Sequence, residues 1–249
     1  MARPPLLLIP PSEGKAAGGR PLGRPDSFDA ALGASRAVVL SELAQVLGTG
    51  GPTQHSSVLG VRGDLLDRAL CNSAELVAGT ARVLPAWKRY TGVVWASLDP
   101  ATLSAADRAR VLVPSGLYGV TTAADPVADY RLKMLVSLGR LGRLSTFWLP
   151  EVTAAIARRA QGRVVVDLLP AEHAHAVDMV ALAGSTRVIR AQFISADGRR
   201  AVGHEAKSAK GRLARTVLEG GLEAVGKFRF EGWRATMEGD ALTVVAPST

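Results

Sequence analysis

Val111-Leu-Val-Pro-Ser-Gly-Leu-Tyr-Gly119 opens as an apolar run of strand length and closes in a small, flexible turn. Shortly after it, Asp129-Tyr-Arg-Leu-Lys-Met134 alternates polar and apolar side chains. The two stretches bring two tyrosine hydroxyls (Tyr118, Tyr130), a guanidinium (Arg131) and an ammonium (Lys133) close to Leu117, Leu132 and Met134. A surface loop has no need of such alternation. The pattern points to polar groups held on a packed frame and aimed into a cleft. If 129–134 is extended, Tyr130 and Leu132 share one face while Arg131 and Lys133 share the other. Arg131 can then hold an anion through both guanidinium nitrogens.

Working outward, strand-like and helix-like segments intermix along the whole chain. Residues 6–9 are a continuous apolar run ended by Pro10-Pro11, which reads as a buried first strand. Residues 12–27 are rich in Gly and Pro and read as a long loop, mobile until a ligand binds. Helices are expected at 37–47, 64–70, 74–88 and 145–160, and after Asp99-Pro100 with Ser104 as its cap. Strands are expected at 93–95, 111–113, 164–169 and 188–194. A basic helix is expected at 205–218. Two final strands, 227–233 and 241–245, would be joined by a turn at Glu238-Gly-Asp240. With no internal repeat and no linker, this order implies one mixed α/β (α+β) domain over residues 1–249.

Composition narrows the function classes. The 249 residues are 47% hydrophobic, enough for a sizeable core and too apolar for global disorder. Formal charge is +8, and it is uneven: residues 187–234 hold eleven Lys or Arg against five Asp or Glu. A localised positive field attracts polyanions or anionic small molecules. The single cysteine, Cys71, rules out a disulfide within the chain and fits a reducing compartment. No continuous apolar run of spanning length is expected, and residues 6–9 are too short for a signal-peptide core. The expected location is cytoplasmic, with no membrane partner.

Several groups carry candidate chemistry. Ser12-Glu-Gly-Lys15 directly follows a strand, where α/β folds line their ligand crevice. A lysine there clamps a phosphate or carboxylate or, once desolvated, acts as base or nucleophile. The same residues match a Ser-x-x-Lys nucleophile pattern, but its partner motifs are missing and Gly14 disfavours the helix it requires. Lys207, Lys210, Arg212 and Arg215 lie on the basic helix, with Lys207 and Lys210 flanking the apolar stripe Ala206, Leu213 and Val217. Gly60, Arg62 and Gly63 form a Gly-rich turn between helices, whose N–H groups suit phosphates. Gly221 to Lys227 has P-loop spacing, but Phe228 stands where a magnesium-binding hydroxyl belongs. Glu172, His173, His175 and Asp178 lack a second cluster with ligand spacing, so no metal is expected. No cofactor motif is present.

Seven segments in order resemble the YaaA peroxide-stress family: Leu8-Ile-Pro-Pro-Ser-Glu-Gly-Lys15, Leu59-Gly-Val-Arg-Gly-Asp64, Arg89-Tyr-Thr-Gly-Val93, Ser115-Gly-Leu-Tyr-Gly119, Asp129-Tyr-Arg-Leu-Lys-Met134, Phe147-Trp148 and Lys207-Ser-Ala-Lys-Gly-Arg212. The opening segment resembles the version in actinobacterial-type members. The resemblance implies a compact mixed α/β body with a positively charged cleft and a helix-hairpin-helix-like element. It also implies protection against peroxide, limiting of free iron, and DNA binding. The chain departs from the pattern at Val120-Thr-Thr-Ala-Ala-Asp125 (no Arg-Pro-x-Asp), at Leu135 (no Gly) and at Glu205-Ala206 (no Phe-Asn), so it resembles a divergent member.

Two functional expectations follow. In the first, a basic cleft binds DNA through Gly60, Arg62, Gly63, Lys207, Lys210, Arg212 and Arg215. In the second, an enzyme of small-molecule (nucleotide or natural-product) metabolism acts on an anionic substrate. There Ser12, Ser115, Arg131, Lys133 and Lys207 bind the anion. Lys15, Tyr118 and Tyr130 are the candidate catalytic groups. A scaffold for a protein partner is a third, blander expectation.

Overall fold

Apolar runs without polar alternation are buried on both faces, as parallel strands covered by helices require. The computed structural model describes residues 3–23 and 25–247. In it, Leu6–Leu8, Val111–Ser115 and Val165–Asp167 are buried at every position. They form the middle of an eight-stranded sheet. Val165–Asp167 and Val111–Ser115 flank Leu6–Leu8 in parallel. Val188–Ile194 and Ala241–Val245 extend the parallel region beyond Val165–Asp167. Both edges are antiparallel. Gly119–Thr122 folds back on Val111–Ser115, and Trp233–Glu238 with Arg229–Phe230 closes the other side.

The chain lays strands on one side of Leu6–Leu8 first, then crosses and lays the rest on the other. The order therefore reverses between Leu6–Leu8 and Val165–Asp167. In open α/β sheets the loops at the C-terminal ends of two such strands diverge and leave a crevice.

Helices cover the sheet. Leu144–Ala160 buries Trp148, Val152 and Ile156 completely, and the Trp148 indole donates to the Gly116 carbonyl at 2.9 Å. Asp29–Thr49 is long and apolar enough to cross a membrane, which the sequence reading did not anticipate. It carries Asp29, Arg36 and Glu42, and it buries Leu32, Val39, Leu43 and Val46. Arg36 pairs with Asp26 at 2.6 Å and donates to the carbonyls of Tyr118 and Val120. Those bonds tie the helix to the hairpin edge of the sheet.

Four expected elements differ. Residues 93–95 form no strand; Val93–Leu98 is a short helix. The helix expected at 74–88 stops at Val77, and Val83–Pro85 is a strand paired with Pro126–Ala128. The penultimate long strand is Trp233–Glu238, after a turn at Gly232 with φ +82°. The loop within 12–27 is not free along its whole length: isolated bridges run from Lys15 to Tyr90 and from Arg20 to Val83 (Arg24 lies outside the described residues). The strand at Val188–Ile194, the helix Leu144–Ala160 and the Ser104 cap form as expected.

The basic helix His204–Gly220 crosses Val93–Leu98 closely because Gly211 has no side chain. A Cβ at Gly211 would stand on the Val94 carbonyl and within 2.9 Å of the Leu98 nitrogen. These are backbone atoms of a packed helix, so the clash cannot be relieved by a rotamer change. Gly211→Ala should therefore destabilise the protein by about 1–3 kcal/mol in urea titration, and unchanged stability would contradict this packing.

Candidate functional site

A pocket of about 490 Å³ opens where the strand order reverses. Pro10 to Lys15 come from the loop after Leu6–Leu8, and Pro170, Glu172 and His173 from the loop after Val165–Asp167. Leu59 to Val61, Gly92 to Trp95, and Tyr130 to Lys133 supply further walls. Lys207 and Lys210 reach in from the basic helix. The lining thus contains five cationic side chains (Lys15, Arg131, Lys133, Lys207 and Lys210) and two acidic ones (Glu13 and Glu172).

Lys15 is positioned by backbone. Its segment runs antiparallel to 83–91: Ala16 N–H donates to Arg89 O at 2.8 Å, and Thr91 N–H to Gly14 O at 3.1 Å. Arg89, fully buried, locks this arrangement by donating to the carbonyls of Ala16, Gly18, Arg82 and Val127. The Lys15 Nζ donates to Ser12 O at 2.9 Å and sits 4.4 Å from the centre of the Tyr130 ring. Desolvation, followed by the nearby Arg131 guanidinium, pulls its pKa down to about 7. Lys15 is therefore about half uncharged at neutral pH.

Arg131 donates to the Glu13 carbonyl, and Lys133 pairs with the Glu13 carboxylate at 2.7 Å. The 129–134 segment alternates as its sequence predicts: Tyr130, Leu132 and Met134 are buried, whereas Arg131 is half-buried and Lys133 exposed. Lys210 lies 5.3 Å from the centre of the Phe193 ring, and burial lowers its pKa to about 8 despite the attraction of Asp167. Burial, then Lys210 and Lys133, drop His173 to about 4, so its imidazole is neutral at pH 7. Its Nδ1 is buried with no hydrogen-bond partner among the described residues.

Other expected residues fall elsewhere. Tyr118 does not line the pocket. Its hydroxyl accepts from Ala128 N–H at 3.0 Å, and burial pushes its pKa to about 12. Tyr130 offers the pocket its ring, and its hydroxyl faces that of Tyr90 at 3.0 Å. Ser115 is fully buried beneath Tyr130 and supports it from behind. Ser12 borders the pocket and offers its carbonyl to Lys15. Gly60 borders the pocket, whereas Arg62 and Gly63 lie outside it. Arg212 packs over Phe230 at 5.4 Å. Arg215 is committed to Glu219 at 2.7 Å and to Thr102 and the Asp99 carbonyl. Neither borders the pocket; Arg212 remains exposed, whereas Arg215 is partly buried.

Glu172 and His173, two of the four residues of the 172–178 group, carry no assigned role in the sequence. Among the described residues no His, Cys, Asp or Glu cluster suits a metal, yet both residues line the pocket. Their place just past a buried strand was the available signal. Val94 and Trp95 were missed because 93–95 reads as a strand.

Sheet and pocket together define an α/β protein with a pocket at the strand-order reversal, its wall largely apolar and carrying five lysine and arginine side chains. The family described as peroxide stress protein YaaA matches residues 6–238. A UPF0246 protein of Streptomyces coelicolor is 35% identical, covering 95% of this chain and 94% of that protein. UPF0246 proteins of Corynebacterium efficiens and Corynebacterium glutamicum are 30% and 31% identical, each covering 88% of this chain and 87% of its relative. The chain belongs to the YaaA peroxide-stress protein family.

Because folding depresses the Lys15 pKa, the unfolded chain binds its proton more tightly. This residue therefore opposes folding below about pH 7, and the opposition fades as pH rises toward its unfolded value of about 10.4. Lys15→Met should raise the Tm at about pH 6, with the gain shrinking toward about pH 10. A Tm lowered at every pH would refute the desolvation argument. Arg89→Met strands several buried carbonyls and should cost roughly 3 kcal/mol or more in urea unfolding, with protease cutting newly directed at 14–20; an unaltered digest would contradict the locking role.

Proposed function

We propose that this YaaA-family peroxide-stress protein binds an anionic small molecule in the pocket at the strand-order reversal. The observation that carries this reading is the convergence of Lys15, Arg131, Lys133, Lys207 and Lys210 on one cavity. They come from the first loop, the 129–134 segment and the last long helix, so only the folded chain assembles them. Beside them, Pro10, Leu59, Val94, Trp95 and Leu132 give apolar wall. A small ligand with an anionic end and an apolar body matches both sets of groups. A cytoplasmic setting agrees with the unpaired, exposed thiol of Cys71.

Calorimetry with pyrophosphate as probe tests the reading. Arg131→Met and Lys207→Met should each weaken binding about tenfold, the loss of one charge-assisted contact. Lys88→Met, outside the pocket, should leave it unchanged. Equal affinity in all three variants would remove the pocket from the function.

One observation favours DNA as a second reading. Gly60, in the left-handed conformation (φ +67°) at the turn between Pro52–Leu59 and Asp64–Val77, borders the same pocket as Lys207 and Lys210. A phosphate backbone crossing the opening would meet both the turn and the basic helix. Three such contacts would give a slope of about −3 for log K against log salt, reduced by about one in Lys207→Met. A flat salt dependence would dismiss DNA and leave the small-anion reading intact.

A further inference from the structure

We propose that Lys15 is a nucleophile that forms an imine with an aldehyde or ketone carrying a phosphate or carboxylate group. The inference rests on the anion-pocket reading and assigns that pocket a reaction.

Geometry separates Lys15 from the other pocket lysines. Lys133 is neutralised by Glu13 at 2.7 Å. Lys210 lies against Phe193, within the influence of the buried Asp167 carboxyl. Lys15 has no carboxylate within ion-pair distance among the described residues. Its only hydrogen bond there is the one donated to the Ser12 carbonyl, and the rings of Tyr130 and Tyr90 lie 4.4 and 5.7 Å from its nitrogen. Burial strips water from the amine and Arg131 opposes its charge, and these two effects outweigh the attraction of the ring faces for an ammonium. These conditions keep an amine unprotonated near neutrality and make it reactive toward carbonyl carbon.

Positioning is equally specific. The strand-like bridge to Tyr90 and the Arg89 lock fix the Lys15 backbone, so the side chain has little freedom to withdraw from the pocket. Lys207, on the basic helix, remains available to grip the anionic end of a substrate, while Arg131 acts on the amine itself. The carbonyl would then be delivered to a fixed nitrogen, which is the advantage of a bound over a free amine.

The step balances without a redox partner. The nitrogen lone pair forms the C–N bond while the carbonyl π pair moves to oxygen. The nitrogen surrenders two protons, the oxygen acquires two and leaves as water, and a C=N bond remains.

Pyridoxal 5′-phosphate serves as the probe, since it is an aldehyde with a phosphate. The full-length protein is incubated with it, reduced with borohydride and mapped by peptide mass spectrometry. Lys15 should be labelled at least about tenfold faster than Lys88 or Lys227, reflecting its larger uncharged fraction. Its rate should climb across about pH 6–8, where that fraction changes most. Pyridoxal without phosphate should label Lys15 about tenfold more slowly, having lost the anion contact. Even labelling of all six lysines, or a Lys15 rate that rises only above about pH 9, overturns the proposal. Phenyl phosphate, which has no carbonyl, separates the two layers of inference. If calorimetry shows that it binds while Lys15 stays unlabelled, the imine is refuted and the anion pocket survives. If it neither binds nor protects Lys15, the anion pocket fails as well.

Discussion

A buried guanidinium with no carboxylate partner among the described residues organises the front of this molecule. Arg89 has no exposed surface, and carbonyl oxygens from four residues in three stretches of chain solvate its charge. A cation taken from water is tolerable only when its donors are nearly all used. That requirement runs in both directions. The 14–20 segment cannot peel away without stranding Arg89, and Arg89 cannot be satisfied unless 14–20 lies against 83–91. The loop after the first strand is long and rich in glycine, yet it presents Lys15 at one defined place. Arg36 does similar work at the sheet edge, where Asp26 supplies a counter-charge and two carbonyls complete its shell.

Behind Lys15, Tyr130 turns its ring to the pocket and its hydroxyl to that of Tyr90. Tyr90 and Tyr130 share a hydrogen bond, Ser115 supports Tyr130, and Tyr118 stacks edge-on to Tyr130 at 5.5 Å. Burial raises the pKa of all three phenols. In the pocket itself the groups with lowered pKa values are nitrogen bases: Lys15, Lys210 and His173. The polar–apolar alternation at 129–134 serves this division. It sends Tyr130 and Leu132 inward as support and leaves Arg131 and Lys133 at the rim.

Much of this was legible in the residues, and the failures have physical causes. Continuous apolar runs disclosed the central strands because parallel strands covered on both faces leave no polar alternation. Val93-Val-Trp95 misled for the same reason: an apolar, β-branched triplet has no period long enough to tell strand from helix. What decides it is tertiary, namely Gly211 seated on the Val94 carbonyl. The helix expected through 74–88 failed because 83–85 finds a partner in 126–128, a pairing no local window contains. At the site, Lys15, Arg131, Lys207 and Lys210 were readable as cations near strand ends or on a helix face. The burial of Arg89 and Arg36 was not, since a sequence shows an arginine's charge but not the carbonyls that will enclose it. The neighbours of Arg212 and Arg215 were equally hidden, since helix position alone reveals neither the Phe230 ring nor the Glu219 carboxylate beside them.

Charge and reactivity in the pocket are linked by sign. The cations that would attract an anion also repel a proton from Lys15, so the empty pocket favours the neutral amine. An anion settling beside Arg131 cancels part of that repulsion and raises the proton affinity of Lys15. A ligand with its negative group close to Lys15 therefore quenches the nucleophile it approaches. One that anchors its anion farther away, toward Lys207, and extends an uncharged carbonyl to Lys15 leaves the nucleophile active. The spread of cations over several elements, rather than a tight cluster around Lys15, permits the second arrangement. Selectivity in such a pocket would arise from the distance between a substrate's charge and its electrophilic carbon as much as from the charge itself.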